Sequence, residues 1–398
     1  MSYGHNNVGF APYGAYWHLM RKFLVVELFG VRHTKATWHA RQHQVEKLMS
    51  TLSGLAGEPV ALKEHIFTLA DGIIGMLGFG DMYNSDKFPH LKNLEYVLEE
   101  ATHRIFKQLD AFFEIIIEQH LDPHRAKPHN GDLVDHLISL WKDNRGTLNI
   151  TRDHVKGILF STFIGGSDTA SVTILWAMAE LLRKPLLLKK VQNEIRSVVG
   201  SNERVRPDDL AKLGHLKMVV KETLRPHPPA TMLLPREAIR DTQIGGYDVL
   251  AKTRIYVNVW AIGRDPASWP DAPQKFKPKR FETSEIDLKG AHFELTPFGA
   301  GPRVCPAMSM SAATVEFTLA NLLCCFEWSL PEGRAVSMEE EGKLILLLKT
   351  PLVLVPTVST PADRRSKFIC SQLYNNKAYD RTTIKISSSV CTTCLPNH

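Results

Sequence analysis

The sequence predicts a mostly helical protein with a small β region, and three observations carry that expectation. Thr151 to Arg183 is a long apolar stretch without a proline, closed by Pro185, and at 1.5 Å per residue it spans about 48 Å, enough to cross a whole domain. On either side, apolar runs with helical spacing alternate with Gly-, Pro- and Asp-rich breaks. Strand-like alternation is confined to Thr242–Val259 and to the apolar block Leu344–Pro356.

With 398 residues, 44% of them apolar and 23% charged, the chain can bury a large core, which excludes a disordered class. Of the net charge of +6, the segment Thr357–His398 supplies +4, from six basic residues against Asp363 and Asp380. The body is close to neutral, so the pI of 8.9 does not indicate a nucleic-acid partner. Six cysteines lie at 305, 324, 325, 370, 391 and 394 without the regular spacing of a disulfide framework. Cys391 and Cys394 form a single CTTC with no second pair for zinc and no His for haem attachment. No run of eighteen apolar residues and no hydrophobic leader is present, so neither a transmembrane segment nor a signal peptide is expected.

In chain order, a helix is expected from about Tyr16 to Leu28. On it Trp17 and Arg21 are four apart and share a face, where an indole N–H and a guanidinium can grip a pair of carboxylates; taken alone, the pair also reads as a surface Arg beside a half-buried Trp. Scaffold helices follow near Thr34–Leu52, Leu62–Leu77, Leu91–Phe106 and Leu109–His120. The long stretch from Thr151, an N-cap, contains GGSDTAS over Gly165–Ser171. Two glycines weaken a helix, and Asp168 and Thr169 are polar groups in an apolar run. A helix that widens at its glycines leaves room for a ligand, to which an acid beside a hydroxyl relays protons. The alternative is a pair of shorter helices, the second capped by Ser167 or Asp168.

Pro185–Val199 reads as a helix stopped by Gly200, and His215–Arg225 as another. On the latter Glu222 and Arg225 are three apart on one face, as in a buried ion pair that needs further partners. Pro226 ends that helix. The stretch Phe298–Ala307 reads FGAGPRVCPA and places Cys305 just before the helix-patterned Met308–Phe326, whose N-terminal dipole favours a thiolate. Gly299 and Gly301 let the main chain pass close to a flat ligand. A lone cysteine is more often a small buried hydrophobe. Here Phe, two Gly and an Arg precede the sulfur at fixed offsets.

That loop closely resembles the haem-ligand loop FxxGxRxCxG of the cytochrome P450 enzymes, with Ala307 in place of the final Gly and Pro302 in place of the Arg usual in plant members. WxxxR at Trp17 and Arg21 in a YGAYW context, GGSDT for the AGxDT motif, KETLR followed by HPPATMLLPRE, and FKPKRF for the PERF segment extend the resemblance over about residues 1–356. Two departures are Pro226 for Leu and Lys279 for Glu. The resemblance is closest to the plant enzymes of specialised metabolism.

It implies the P450 fold, a helical triangular prism with a small β region, as one domain over 1–356, followed by a disordered tail over 357–398. Met1 falls in the loop before the Trp17 helix, so the anchor, the proline hinge, the first helix and much of the first sheet have no counterpart, and the fold is expected to be incomplete at its N-terminus. The 78–112 interval has room for about one helix where the family has two and a loop over the substrate.

The resemblance further implies heme b (iron protoporphyrin IX) with Cys305 as the iron ligand. Trp17, Arg21, Arg236 and Arg303 would be held to its propionates, and Phe298 and Gly301 would form the loop. It implies Asp168 and Thr169 as the proton relay, and Glu222, Arg225 and Arg280 as one charge network fixing the loop that leads to Cys305. Phe163, Ile164, Gly165, Thr231, Met232 and Leu344, the last at the tip of a terminal hairpin, become substrate-pocket candidates. The activity implied is insertion of one oxygen atom from O2 into a small hydrophobic plant metabolite, with electrons from NADPH through NADPH-cytochrome P450 reductase at the endoplasmic reticulum membrane. Two alternatives are a haem enzyme that rearranges a peroxide, against which the intact Asp168 and Thr169 pair argues, and a truncated product without catalysis.

Overall fold

The computed structural model describes residues 3–4, 6–80, 102–125, 131–143 and 149–360, without the side chains of Glu27 and residues 102–105. Most of the expected Leu91–Phe106 helix, the family's roof region and the tail lie outside the described residues.

Helix α1 (Ala15–Phe23) runs on into a π-helical turn, Leu24–Phe29, and Gly30 stops it. The single helix expected from Thr34 is two, α2 (Val31–Ala36) and α3 (Trp38–Gly54), broken at Thr37. Arg41 explains the corner. It is wholly buried, its Nη1 donates to the carbonyls of Thr34 and Thr37, and its Nε donates to Thr314 Oγ1 at 3.1 Å. The guanidinium thus caps the C-terminal carbonyls of α2. Burial pulls its pKa down to about 10, which leaves it charged at neutral pH.

After β1 (Val60–Ala61) come α4 (Leu62–Phe79), α5 (Thr102–Leu121), α6 (Leu133–Asp143) and α7 (Arg152–Leu182). Helix α7 starts at Thr151, whose N–H donates to His154 Nδ1 at 3.1 Å, and continues through Gly165 and Gly166 as one α-helix. This excludes two shorter helices, and the helix does not widen at its glycines. Helix α8 (Pro185–Val199) begins on proline and ends at Gly200, where φ is +62°. Helix α9 (Gly214–Leu224) stops at Arg225, before Pro226.

The β structure is small. Strand β2 (Arg236–Glu237) pairs with β5 (Arg254–Ile255), and β3 (Thr242–Ile244) with β4 (Tyr247–Val249). After α10 (Val259–Ile262) and α11 (Met308–Cys325) come β6 (Phe326–Ser329), β7 (Glu340–Gly342), β8 (Leu346–Leu348) and β9 (Val353–Val358). The Leu344–Pro356 block does not fold back on itself as a hairpin. Its first part, β8, pairs with β7, while β9 joins β1 and β6 in a three-stranded antiparallel sheet. That strand extends to Val358, and Ser359 N–H donates to Cys325 O.

Two hydrophobic cores organise the helices. One gathers α3, the first part of α4, the second half of α7, α8, α9 and most of α11. The other gathers α1, the π-helical turn, the end of α4, α5, α6 and the first half of α7. Helix α4 changes core between Ile73 and Ile74, α7 between Phe163 and Ala170, and α11 between Met310 and Val315. Gly165–Thr169 falls at one crossing, and Cys305 lies just before another. Helices α7 and α11 are long and apolar enough by composition to cross a membrane, but more than half of each apolar window is packed inside the protein. A count of consecutive apolar residues misses them because polar residues interrupt both.

Candidate active site

The loop before α11 is built on two glycines in the left-handed region, Gly299 at φ +76° and Gly301 at φ +69°. Gly301–Arg303 forms a 3-10 turn with Pro302 at its first positions, where a missing N–H costs little. Cys305 N–H then donates to Phe298 O at 2.9 Å and closes the loop. Ala307, at φ −97° and ψ 15°, needs no left-handed backbone, and it packs against the second core.

Burial pushes the Cys305 thiol up, and the Ala307 N–H and the Arg21 charge pull it back only in part. The expected helix-dipole gain for a thiolate is therefore outweighed by desolvation in the chain alone. Yet Cys305 is not sealed: it keeps part of its surface accessible.

Beside that sulfur stands Arg21, and a row of guanidinium groups runs on from it through Arg303 to Arg236. Burial lowers the pKa of Arg21, which feels both Cys305 and Arg303. Burial also lowers Arg303, which is lowered further by Arg236. Arg303 donates to Ala11 O at 2.6 Å and Gly9 O at 3.4 Å, and lies 4.8 Å over the Trp17 ring. A Cβ built on Gly299 would sit 3.3 Å from Arg236 Nη2, so that guanidinium lies against the loop backbone. Among the described residues no acid pairs with any of the three. Trp17 departs from the expected role. It is 2% exposed and its Nε1 donates to Val8 O at 3.2 Å, so the indole N–H is spent on the main chain and the ring instead supports Arg303.

At the α7 crossing, each polar or small residue has its own reason. Gly165 is exposed in the middle of a buried helix and opens the surface there. Gly166 brings α4 close, since a Cβ would overlap Ile74. Ser167 is buried and hydrogen-bonds Asp71 on α4. Thr169 Oγ1 donates to Gly165 O at 2.8 Å, and both Asp168 and Thr169 keep partial exposure.

Of the pocket candidates, Phe163 is committed to the second core, stacked on Phe79. Ile164 and Thr231 are half-buried, while Met232 and Leu344 stay 40% and 58% exposed.

Glu222, Arg225 and Arg280 meet in one buried network. Glu222 accepts twice from Arg225 at 2.9 Å, once from Arg280 Nε at 3.1 Å and once from Lys277 N–H at 2.7 Å. The remaining Arg225 donors reach the carbonyls of Gly263, Pro273 and Lys275. These partners tie down residues 263–280 rather than the Cys305 loop, which is a correction to the expectation. Sequence reading passed over His227, which sits between Glu180 and Glu340; a lone Glu in the apolar half of α7 was the available signal.

Residues 85–356 match the family model for cytochrome P450. The chain is 51% identical to 4-hydroxyphenylacetaldehyde oxime monooxygenase of Sorghum bicolor, over 90% of this chain and 74% of that protein. It is 40% identical to 2-methylbutanal oxime monooxygenase of Manihot esculenta, over 89% of this chain and 76% of that protein. The chain belongs to the cytochrome P450 family.

Among solved structures it is similar to a zebra fish cytochrome P450 determined with abiraterone, at 27% identity and a TM-score of 0.77 over 90% of this chain and 85% of that one. A structure with progesterone gives 26% identity and a TM-score of 0.79, over 89% of this chain and 86% of that one. The protein is thus a plant-type P450 monooxygenase of secondary metabolism, and membership implies haem, a redox partner and a small substrate. The residues present fit such a group. A partly accessible thiol and three cations that no acid among the described residues pairs with suit a metal centre that carries two carboxylates.

Proposed function

We propose that Cys305 is the thiolate ligand of heme b, that Arg21, Arg236 and Arg303 bind its propionates, and that the enzyme oxidises a small apolar aldoxime. The observation that carries the cofactor part is the row of three guanidinium groups, Arg21 beside Cys305 and Arg303 and Arg236 beyond it, with no paired acid among the described residues. Haem held there by Cys305, Arg21, Arg236 and Arg303 would supply activation of O2.

The chain's own residues then orient and move protons. Arg303, braced by Ala11 O and the Trp17 ring, presents its charge in one place. Thr169 Oγ1 holds its proton toward Gly165 O and, by rotating about χ1, can turn it toward the open side of α7, with Asp168 as the adjacent acid. Met232 and Leu344 offer apolar contact to the substrate, and Gly165 leaves it room. Electrons come from NADPH through NADPH-cytochrome P450 reductase at the endoplasmic reticulum membrane. Residues 1–356 are read as one domain, followed by a tail over 357–398. The two oxime monooxygenases at 51% and 40% identity support the substrate class.

The test is turnover of 4-hydroxyphenylacetaldehyde oxime by purified protein with NADPH and a plant reductase. NADPH-dependent consumption of the oxime is expected. A protein with a thiolate-type carbon monoxide spectrum that leaves the oxime untouched contradicts the substrate assignment. In the same assay Thr169→Ala should keep haem but release several-fold more peroxide per NADPH, and unchanged coupling removes Thr169 from the relay.

A further inference from the structure

Behind the proposed substrate wall lies a cluster of buried charge that the reading above leaves unused. His227 is 5% exposed, and its ring nitrogens face two carboxylates from different elements. Nε2 lies 3.1 Å from Glu180 Oε1 on α7, and Nδ1 lies 3.3 Å from Glu340 Oε1 on β7. Only a ring that donates from both nitrogens satisfies both acceptors. Trp176, wholly buried, stacks on that ring with 4.0 Å between centroids and 3° between planes. The remaining carboxylate bonds go to Lys184 at 2.8 Å, Arg264 at 2.6 Å and Trp260 Nε1 at 2.8 Å.

Three members of the cluster, Trp176, Trp260 and Glu340, adjoin wall segments. Trp176 follows Thr169 by two helical turns and therefore shares its face of α7. Its Nε1 donates to Leu346 O at 2.9 Å, just past Leu344. Leu346 N–H donates in turn to Pro229 O at 2.9 Å, and Trp260 N–H to Thr231 O at 3.2 Å. Glu340 begins the strand that leads into the Leu344 tip. Three wall segments, α7 beyond Thr169, the 229–232 loop and the β7–β8 hairpin, are thus fastened around one imidazole.

We propose that His227 is a positioning residue for substrate, which fixes the separation of these three segments and so the width of the substrate side of the site. The inference rests on assigning Thr231, Met232 and Leu344 to that wall. The physical reason is rigidity: charge-assisted hydrogen bonds on both edges of one planar ring, with an indole on its face, allow a single spacing. Glutamine in its place reaches both carboxylates only with a flexible, uncharged group.

The experiment compares the full-chain holoprotein with His227→Gln and Glu340→Gln, measuring ligand affinity per haem-loaded molecule. Two probes are titrated optically: imidazole, which reports access to the iron, and 4-phenylimidazole, whose phenyl group presses on the wall. Imidazole affinity should not change, while 4-phenylimidazole should bind about tenfold more weakly, as a displaced wall implies. Amide hydrogen exchange should rise together in 229–234 and 338–348, with 308–325 unchanged.

Equal effects on the two probes, or none, overturn the proposal. If His227→Gln loads no haem, Glu340→Gln decides by the same readouts, and failure of both to load assigns the cluster to folding alone and overturns it. Neither probe depends on the oxime assignment, so failed oxime turnover and failed probe discrimination are separate results.

Discussion

Two arginine clusters in this protein differ in how their charge is met, and the difference separates scaffold from site. At Glu222, Arg225 and Arg280 a buried carboxylate and surrounding carbonyls answer the cations, and the Trp269 ring lies between the two guanidinium groups at 5.4 and 5.7 Å. At Arg21, Arg236 and Arg303 the cations repel one another, and among the described residues Arg303 is met by two main-chain carbonyls and the Trp17 ring. A closed network holds the fold without further help. An open one keeps its mutual repulsion until an anion arrives, which supports the proposed propionate site.

The largest effect should come from opening the closed cluster. Arg225→Ala leaves the buried Glu222 charge short of its main partner, a loss of about 3–5 kcal/mol, set against a total domain stability of about 5–15 kcal/mol. Chemical denaturation and soluble yield check it. A variant that melts like the parent removes the scaffold role.

The open cluster should behave the other way. Arg236→Gln relieves repulsion with Arg303, so the haem-free chain should change by less than about 0.5 kcal/mol. Haem should nonetheless transfer to apomyoglobin about tenfold faster, by loss of one charge-assisted bond. Equal destabilisation of the haem-free and haem-loaded protein would erase the distinction between the clusters.

A smaller effect separates a third group, the one around His227. Burial raises the Glu180 carboxyl, but hydrogen bonds from His227 and Lys184 outweigh it and leave the pKa below the ordinary glutamate value. Glu340 behaves alike, with burial opposed by His227, Trp260 and Arg264. Because both pKa values are lower folded than unfolded, the unfolded chain takes up protons first as pH falls. Their contribution is therefore present above the unfolded glutamate pKa, 4.5, and is lost below it as pH passes down through the folded values. Thermal melts between pH 6 and pH 3.5 should show a shallower fall for Glu340→Gln than for the parent, and parallel curves count against the coupling.

These contrasts also show what the sequence made legible. Helices α7, α8, α9 and α11 were readable because proline, glycine and apolar periodicity agree at their ends. The break at Thr37 was not, since it depends on Arg41 reaching Thr314, 273 residues away. The pairing of β9 was likewise non-local, with partners at both β1 and β6. In the site, fixed spacing around Cys305 was informative, whereas the indole N–H of Trp17 was misjudged because its partner, Val8 O, is main chain and carries no sequence signal.

The central claim is that the open cations and Cys305 form one cofactor site, and the reduced carbon monoxide difference spectrum tests it most directly. Cys305→Ser should fold with the same helix content and lose the thiolate-type Soret band that the parent shows. A parent without that band, or a variant that keeps it, would contradict the account.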